Sequence, residues 1–219
     1  MPTSLRPLIL LALISGVVAL GSITAVRSLR EPAPAPRDPL APDPGMDALS
    51  IPPFTLTGQD GGRVTEADLL GRVTIMDFFF SRCPFICPPM SRNMKRCQDE
   101  LAGSGVRILS ISVDPDHDTP ERLREYVGEV GADTGVWTFA TGPRSVVTRI
   151  LTEGLLLPEL SESPEQRITF ENGESMASIL HPSHFILIGP SGEVLGLWNG
   201  LDREQVNLII ARARAAADG

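Results

Sequence analysis

No basic run and no stripe of alternating basic and aromatic residues occurs in this 219-residue chain. A nucleic-acid backbone would therefore find nothing here to neutralise its phosphates, and no such partner is expected. Residues 46–219 hold 15 Lys and Arg against 24 Asp and Glu, a balance that favours solubility and is repelled by anionic lipid. No internal repeat is visible. Cysteine is scarce, with three residues, and none lies near the end of the apolar N-terminal segment, which excludes a lipoprotein anchor. No small-x-small cleavage site follows that segment either, which argues against a removed signal peptide.

What the N-terminus does have is an uncharged stretch from Leu8 to Val26, LILLALISGVVALGSITAV. As a helix it would run roughly 28 Å, close to the hydrocarbon thickness of a bilayer. An uncleaved single-pass anchor through residues 8–26 is the expectation. Arg6 precedes the stretch and Arg27 and Arg30 follow it, so the count of positive charges alone does not orient it. Residues 31–50 then carry six prolines, a composition that prefers extended polyproline II and would span about 60 Å. The expected organisation is an anchor over residues 1–30, a Pro-rich linker over 31–49 and a domain over 50–219.

The domain opens with FTLTGQDGGRVT, two strand-like runs around Asp60-Gly61-Gly62, a hairpin signature. Thr65 to Asp68 has a capping-box pattern for a short helix. Arg72 to Phe80 (RVTIMDFFF) is nearly continuously apolar, as a strand covered on both faces is. A helix is expected from Pro88 to Leu101, a second buried strand over Val106–Val113, and a helix from Pro120 to Val130 after a capping Thr119. Trp137–Ala140 suggests a strand and Pro143–Leu151 a helix. Phe185–Ile188 and Glu193–Trp198 flank a Gly-Pro-Ser-Gly turn as a hairpin, and Asp202 caps a last helix to Ala215. Residues 154–178 give no clear period and suggest an irregular insertion with a short hairpin. This order calls for an α/β fold, a mixed sheet flanked by helices. Ligands of such folds bind at the carboxyl ends of interior strands.

Cys83 stands at such an end, and Cys87 follows four residues later. A structural disulfide would close too short a loop to constrain the unfolded chain much. A redox-active dithiol fits, because helix N-termini favour the reactive thiolate. A clamp for a soft metal fits equally, because thiolates select Cu(I) or zinc. Pro84, Pro88 and Pro89 stiffen the loop and remove amide donors near the sulfurs. Spacing alone leaves redox and metal chemistry balanced.

The run FFFSRCPFICPPM resembles the SCO/SenC family of copper-handling proteins, with its phenylalanine-rich strand and C-P-x-x-C-P. Ser112 to Glu121 (SVDPDHDTPE) is similar to that family's V-D-P-x-x-D-T-P segment, and Trp137 to Gly142 to its W-x-x-x-T-G. His181 followed by Phe185 to Gly192 is similar to its H-x(5)-L-x-x-P-x-G ending. The resemblance covers residues 50–215 in the family's order. It implies a thioredoxin-like fold and copper held by Cys83, Cys87 and His181. It also implies a domain in the bacterial periplasm, or in the intermembrane space of a mitochondrion, anchored in the inner membrane. The expected role is delivery of copper to, or maturation of, the copper A (CuA) site of cytochrome c oxidase. The expected partner is the oxidase's CuA subunit or another copper chaperone. In the alternative, Cys83 and Cys87 are the catalytic pair of a thiol-disulfide oxidoreductase that reduces the oxidase's cysteines or another exported target. A peroxiredoxin-like peroxidase is disfavoured, because no Thr-x-x-Cys precedes the pair.

Several residues invite more than they carry. Cys97, ten positions beyond Cys87, would lie about 15 Å along a helix and is expected as a buried small hydrophobe. Met90 and Met94 share a helical face and are expected in the core. His117 sits in an acidic turn that lacks the glycine and distal glutamate of an EF-hand, with Asp118 and Thr119 serving as helix caps. His184 is three positions out of register with the resemblance. Asp77, in an apolar strand, must be hydrogen-bonded or carry a raised pKa. Thioredoxins are similar in placing a buried aspartate six residues before their first active cysteine, and a functional Asp77 would favour redox chemistry. Leu180 stands where many SCO/SenC members have an acid beside the histidine, which removes one expected partner of the imidazole.

Overall fold

The computed structural model describes residues 38–218, apart from the side chain of Pro164. The expected span 8–26, the anchor 1–30 and linker residues 31–37 lie outside the described residues. No helix among the described residues is long and apolar enough to cross a membrane.

The strands are β1 (Thr55–Gly58), β2 (Arg63–Thr65), β3 (Thr74–Phe79), β4 (Arg107–Ser112), β5 (Trp137–Thr141), β6 (Ser161–Thr169), β7 (Ser175–Leu180), β8 (His184–Ile188) and β9 (Val194–Asn199). The α-helices are α1 (Cys87–Glu100), α2 (Pro120–Val130), α3 (Arg144–Arg149) and α4 (Arg203–Ala217). Seven strands form one sheet in the order β2-β1-β5-β4-β3-β8-β9, and β6 and β7 pair separately. The mixed α/β architecture expected from the order of elements is present.

All six residues of β3 are buried, so both of its faces are covered. It runs parallel to β4, Thr74 opposite Arg107 through Phe79 opposite Ser112, and antiparallel to β8, Thr74 opposite Ile188. Parallel neighbours need crossovers, and α1 and α2 supply those from β3 to β4 and from β4 to β5. Helix α1 buries Cys87, Met90, Met94 and Cys97, a single stripe at helical spacing, so both methionines are core residues. In α2 the Thr119 hydroxyl accepts from the Arg122 amide at 3.3 Å and Gly131, at φ 67°, ends the helix. Asp118 does not cap it. Its side chain is buried and engaged by Ser81 and Ser112. Asp202 caps α4 as expected, accepting from the Glu204 and Gln205 amides.

Helix α3 continues into a π-helical turn over Ile150–Gly154. The Ser50 amide bonds the Gly154 carbonyl at 2.9 Å, and a Cβ at Gly154 would stand 2.5 Å from the Ser50 oxygen. Only glycine permits that approach. The described part of the Pro-rich segment is also attached to the domain. Arg212 donates to the Pro39 carbonyl at 2.8 Å and the Ala41 carbonyl at 2.5 Å, and pairs with Asp43 at 3.0 Å. The Asp43 amide bonds the Leu195 carbonyl. The compact unit therefore begins at Asp38, before the boundary expected at residue 50.

Candidate metal centre

The segment that leaves β3 is fixed on the side facing α2. The Ser81 amide and hydroxyl donate to Asp118 at 3.0 and 2.5 Å. The Ser112 hydroxyl adds a third donor at 2.5 Å. Arg122 donates to the Ser81 hydroxyl at 3.1 Å. Arg82 pairs with the buried Asp114 at 2.7 Å. Cys83 then turns back, its amide on the Phe80 carbonyl, and Cys87 is the first residue of α1. From the other end of the domain, β7 runs into His181, and β8 continues alongside β3.

These two approaches bring Cys83, Cys87 and His181 together, with their donor atoms all within 4.8 Å of one another. Cys87 Sγ lies 3.4 Å from His181 Nε2. His181 Nδ1 is 3.1 Å from the Pro182 carbonyl. A carbonyl only accepts, so Nδ1 is the donor to it, and Nε2 is the ring atom turned towards the sulfurs. The backbone thus holds the imidazole where Leu180 offers no carboxylate. The Phe80 ring meets the imidazole edge to face at 5.6 Å.

The two thiols are electrostatically unequal. Cys83 is pushed well below the ordinary thiol range, first by the Cys87 thiol and then by His181 and the Cys87 and Phe85 amides, which together outweigh its burial. Cys87 is pushed well above that range by burial and by the neighbouring Cys83 sulfur. All three cysteines are free. Two sulfurs and one imidazole nitrogen are a soft donor set that suits Cu(I), and three donors leave a position open for a partner's ligand.

The other candidates stay outside this group. Cys97 is fully buried, its thiol pushed up to about 12 by burial. His117 and His184 are not part of the cluster, and burial lowers the pKa of His184. Asp77 lies in the middle of β3 and is bonded to a side chain, not to backbone at a strand end. The Ser110 hydroxyl donates to it at 2.5 Å, and the Trp137 indole donates to Ser110 at 2.9 Å. Burial pushes the Asp77 carboxyl up to about 6. Ser110, a small hydroxyl inside the apolar strand β4, is the sequence trace of this buried chain. Also missed was the contact of Arg82 with the β6–β7 hairpin, whose Phe170 ring lies 5.4 Å from the Arg82 guanidinium carbon.

The SCO1/SenC family model matches residues 43–216. The SCO1 protein homolog of Bacillus subtilis is 33% identical over 170 residues, covering 76% of this chain and 82% of that protein. A Stutzerimonas stutzeri protein named for copper binding is 28% identical over 150 residues, covering 67% of this chain and 68% of its own length. The solved structure of BsSco is described as a member of the Sco family of cytochrome c oxidase assembly proteins, with a disulfide switch. It superposes with a TM-score of 0.64 at 31% identity, covering 78% of this chain and 94% of that one.

Proposed function

The chain belongs to the SCO1/SenC family, and on that premise we propose that Cys83, Cys87 and His181 hold one copper ion as cargo. The protein delivers it to, or uses it to mature, the CuA site of cytochrome c oxidase. The observation that carries this reading is the convergence of two sulfurs and an imidazole Nε2 within 4.8 Å. A dithiol reductase has no use for the third donor. A closed structural zinc site would need a fourth, and Cys97 is not in the group. The N-terminal 30 residues anchor the protein in the inner membrane of a bacterium, or of a mitochondrion, with the domain on the exported side. The client is the CuA subunit or another copper chaperone.

The unequal thiols and Asp77 favour a second activity on the same pair, reduction of a client disulfide. The Cys83 thiolate is the attacking group, Cys87 the resolving one, and Asp77 a buried carboxyl whose pKa burial pushes up to about 6.

The test is titration of Cu(I) and Cu(II) into the reduced full-length protein. Cys83→Ala and Cys87→Ala should abolish stoichiometric binding, and His181→Ala should weaken it by at least about tenfold. If His181→Ala binds copper as tightly as wild type while Cys83→Ala loses all disulfide exchange, copper delivery fails and the oxidoreductase remains.

A further inference from the structure

Beside Cys83 a groove of about 420 Å³ runs between α1 and α2. Its apolar walls are Pro88 and Val130, and Tyr126 forms part of its floor. The Tyr126 ring is stacked on Phe79 at 5.1 Å, and its hydroxyl is bonded to Ser91 at 2.8 Å. These contacts fix the groove's shape in the absence of a partner. Pro88, Arg92 and Lys95 line the same side at successive turns of α1. Arg92 is exposed, and its side chain has no partner among the described residues. Lys95 is engaged by Asp99 at its own helix surface. Glu129 is the one acid in the groove, and Arg122 holds it at 2.7 Å. The groove therefore offers unneutralised positive charge on a chain of net charge −8.

Resting on the copper-delivery reading, we infer that this groove is the docking track for an extended client segment that carries its accepting cysteine at the Cys83 end and a carboxylate opposite Arg92. The spacing follows from helix geometry. Arg92 lies five residues beyond Cys87, the first residue of α1, about 7.5 Å along the axis. An extended chain advances about 3.3 Å per residue and the long Arg92 side chain reaches further along the groove, so the client's acid falls two to four positions from its cysteine. The apolar walls exclude water around the backbone of the residues between them, and the single cation sets the direction in which the segment lies. A client with a basic residue at that position would bury like charge against Arg92.

The test uses the reduced full-length protein and two synthetic peptides, acetyl-Cys-Ala-Ala-Glu-amide and its Lys counterpart. Each carries its cysteine as the mixed disulfide with 5-thio-2-nitrobenzoate. A protein thiolate attacks the peptide sulfur, forms the protein–peptide disulfide and releases the coloured thionitrobenzoate dianion, whose absorbance gives the rate. At low ionic strength the Glu peptide should react at least about fivefold faster than the Lys peptide, and 0.5 M salt should shrink that ratio towards one. Arg92→Glu should invert the preference. Arg63→Glu, which makes the same charge change on the exposed β2 strand away from the groove, should leave it intact. Equal rates for the two peptides, or a preference unchanged in Arg92→Glu, would overturn the docking track. Neither result touches the copper titration, so failure of the groove and failure of copper delivery are told apart.

Discussion

Asp77 is ionisable yet has only 3% of its surface exposed, and its carboxyl is pushed up to about 6 by that burial. The folded state binds this proton more tightly than the unfolded chain does, whose carboxyl titrates near 3.8. The contribution to stability is therefore complete below about pH 3.8 and lost as pH rises through about 6. Above that, an ionised carboxylate sits in the core. Asp77→Asn removes the charge and keeps an acceptor for Ser110. It should match wild type at pH 4 and exceed it at pH 8 by on the order of 1–3 kcal/mol. Urea denaturation at the two pH values measures this, and identical pH profiles would refute it. The sequence showed that Asp77 needed a partner but not that Ser110, itself held by Trp137, supplies it. Partners in neighbouring strands follow from register, which no local pattern encodes. His181 is the opposite case. Its spacing to Pro190 picked it out through the family's pattern, while its ring's anchor, the Pro182 carbonyl, is a backbone atom that composition does not reveal.

At the level of elements, runs with a strong period were legible and the insertion was not. Strand β3, helices α1 and α2 and the β8–β9 hairpin fall within a few residues of where apolar patterning and caps put them. Between Ser161 and Thr169 the chain is almost wholly polar, contains Pro164, and pairs with β7 through a register shift between Ser163 and Arg167. Alternation is lost there, so a nine-residue strand left only the trace of a short hairpin. It is held by burial of Leu160, Ile168 and Ile179 and by the Arg82 contact at Phe170, with no ladder to the main sheet. Such an element is expected to open independently of the core. A partly exposed cation–π contact contributes about 0.5–1 kcal/mol. Phe170→Ala should therefore speed hydrogen exchange over 161–180 about two- to fivefold and leave β3 amides unchanged. Uniform acceleration across the domain would show instead that the hairpin and core open together.

For the whole molecule, the Arg212 strap alters the proposed plan of anchor, linker and domain. Residues 38–49 have a linker's composition, and proline content gave no hint that an arginine on the last helix would claim their carbonyls. Two truncations separate linker from domain. Protein starting at residue 38 should melt with the full-length domain. Protein starting at residue 50 should melt lower by on the order of 5 °C, since it loses charged hydrogen bonds to Arg212. Equal melting temperatures for the two truncations would make residues 38–49 a linker after all.

The interval of 94 positions between Cys87 and His181 has a temporal meaning. A ribosome adding about 5–20 residues per second needs roughly 5–20 s to make that interval. Throughout it the nascent chain offers the thiols of Cys83 and Cys87 without the imidazole of His181. The third donor arrives only when β8 closes against β3, one of the last strands of the sheet to be synthesised. In the proposed copper site all three donors therefore meet only once the sheet has closed, and a product truncated before His181 lacks the third.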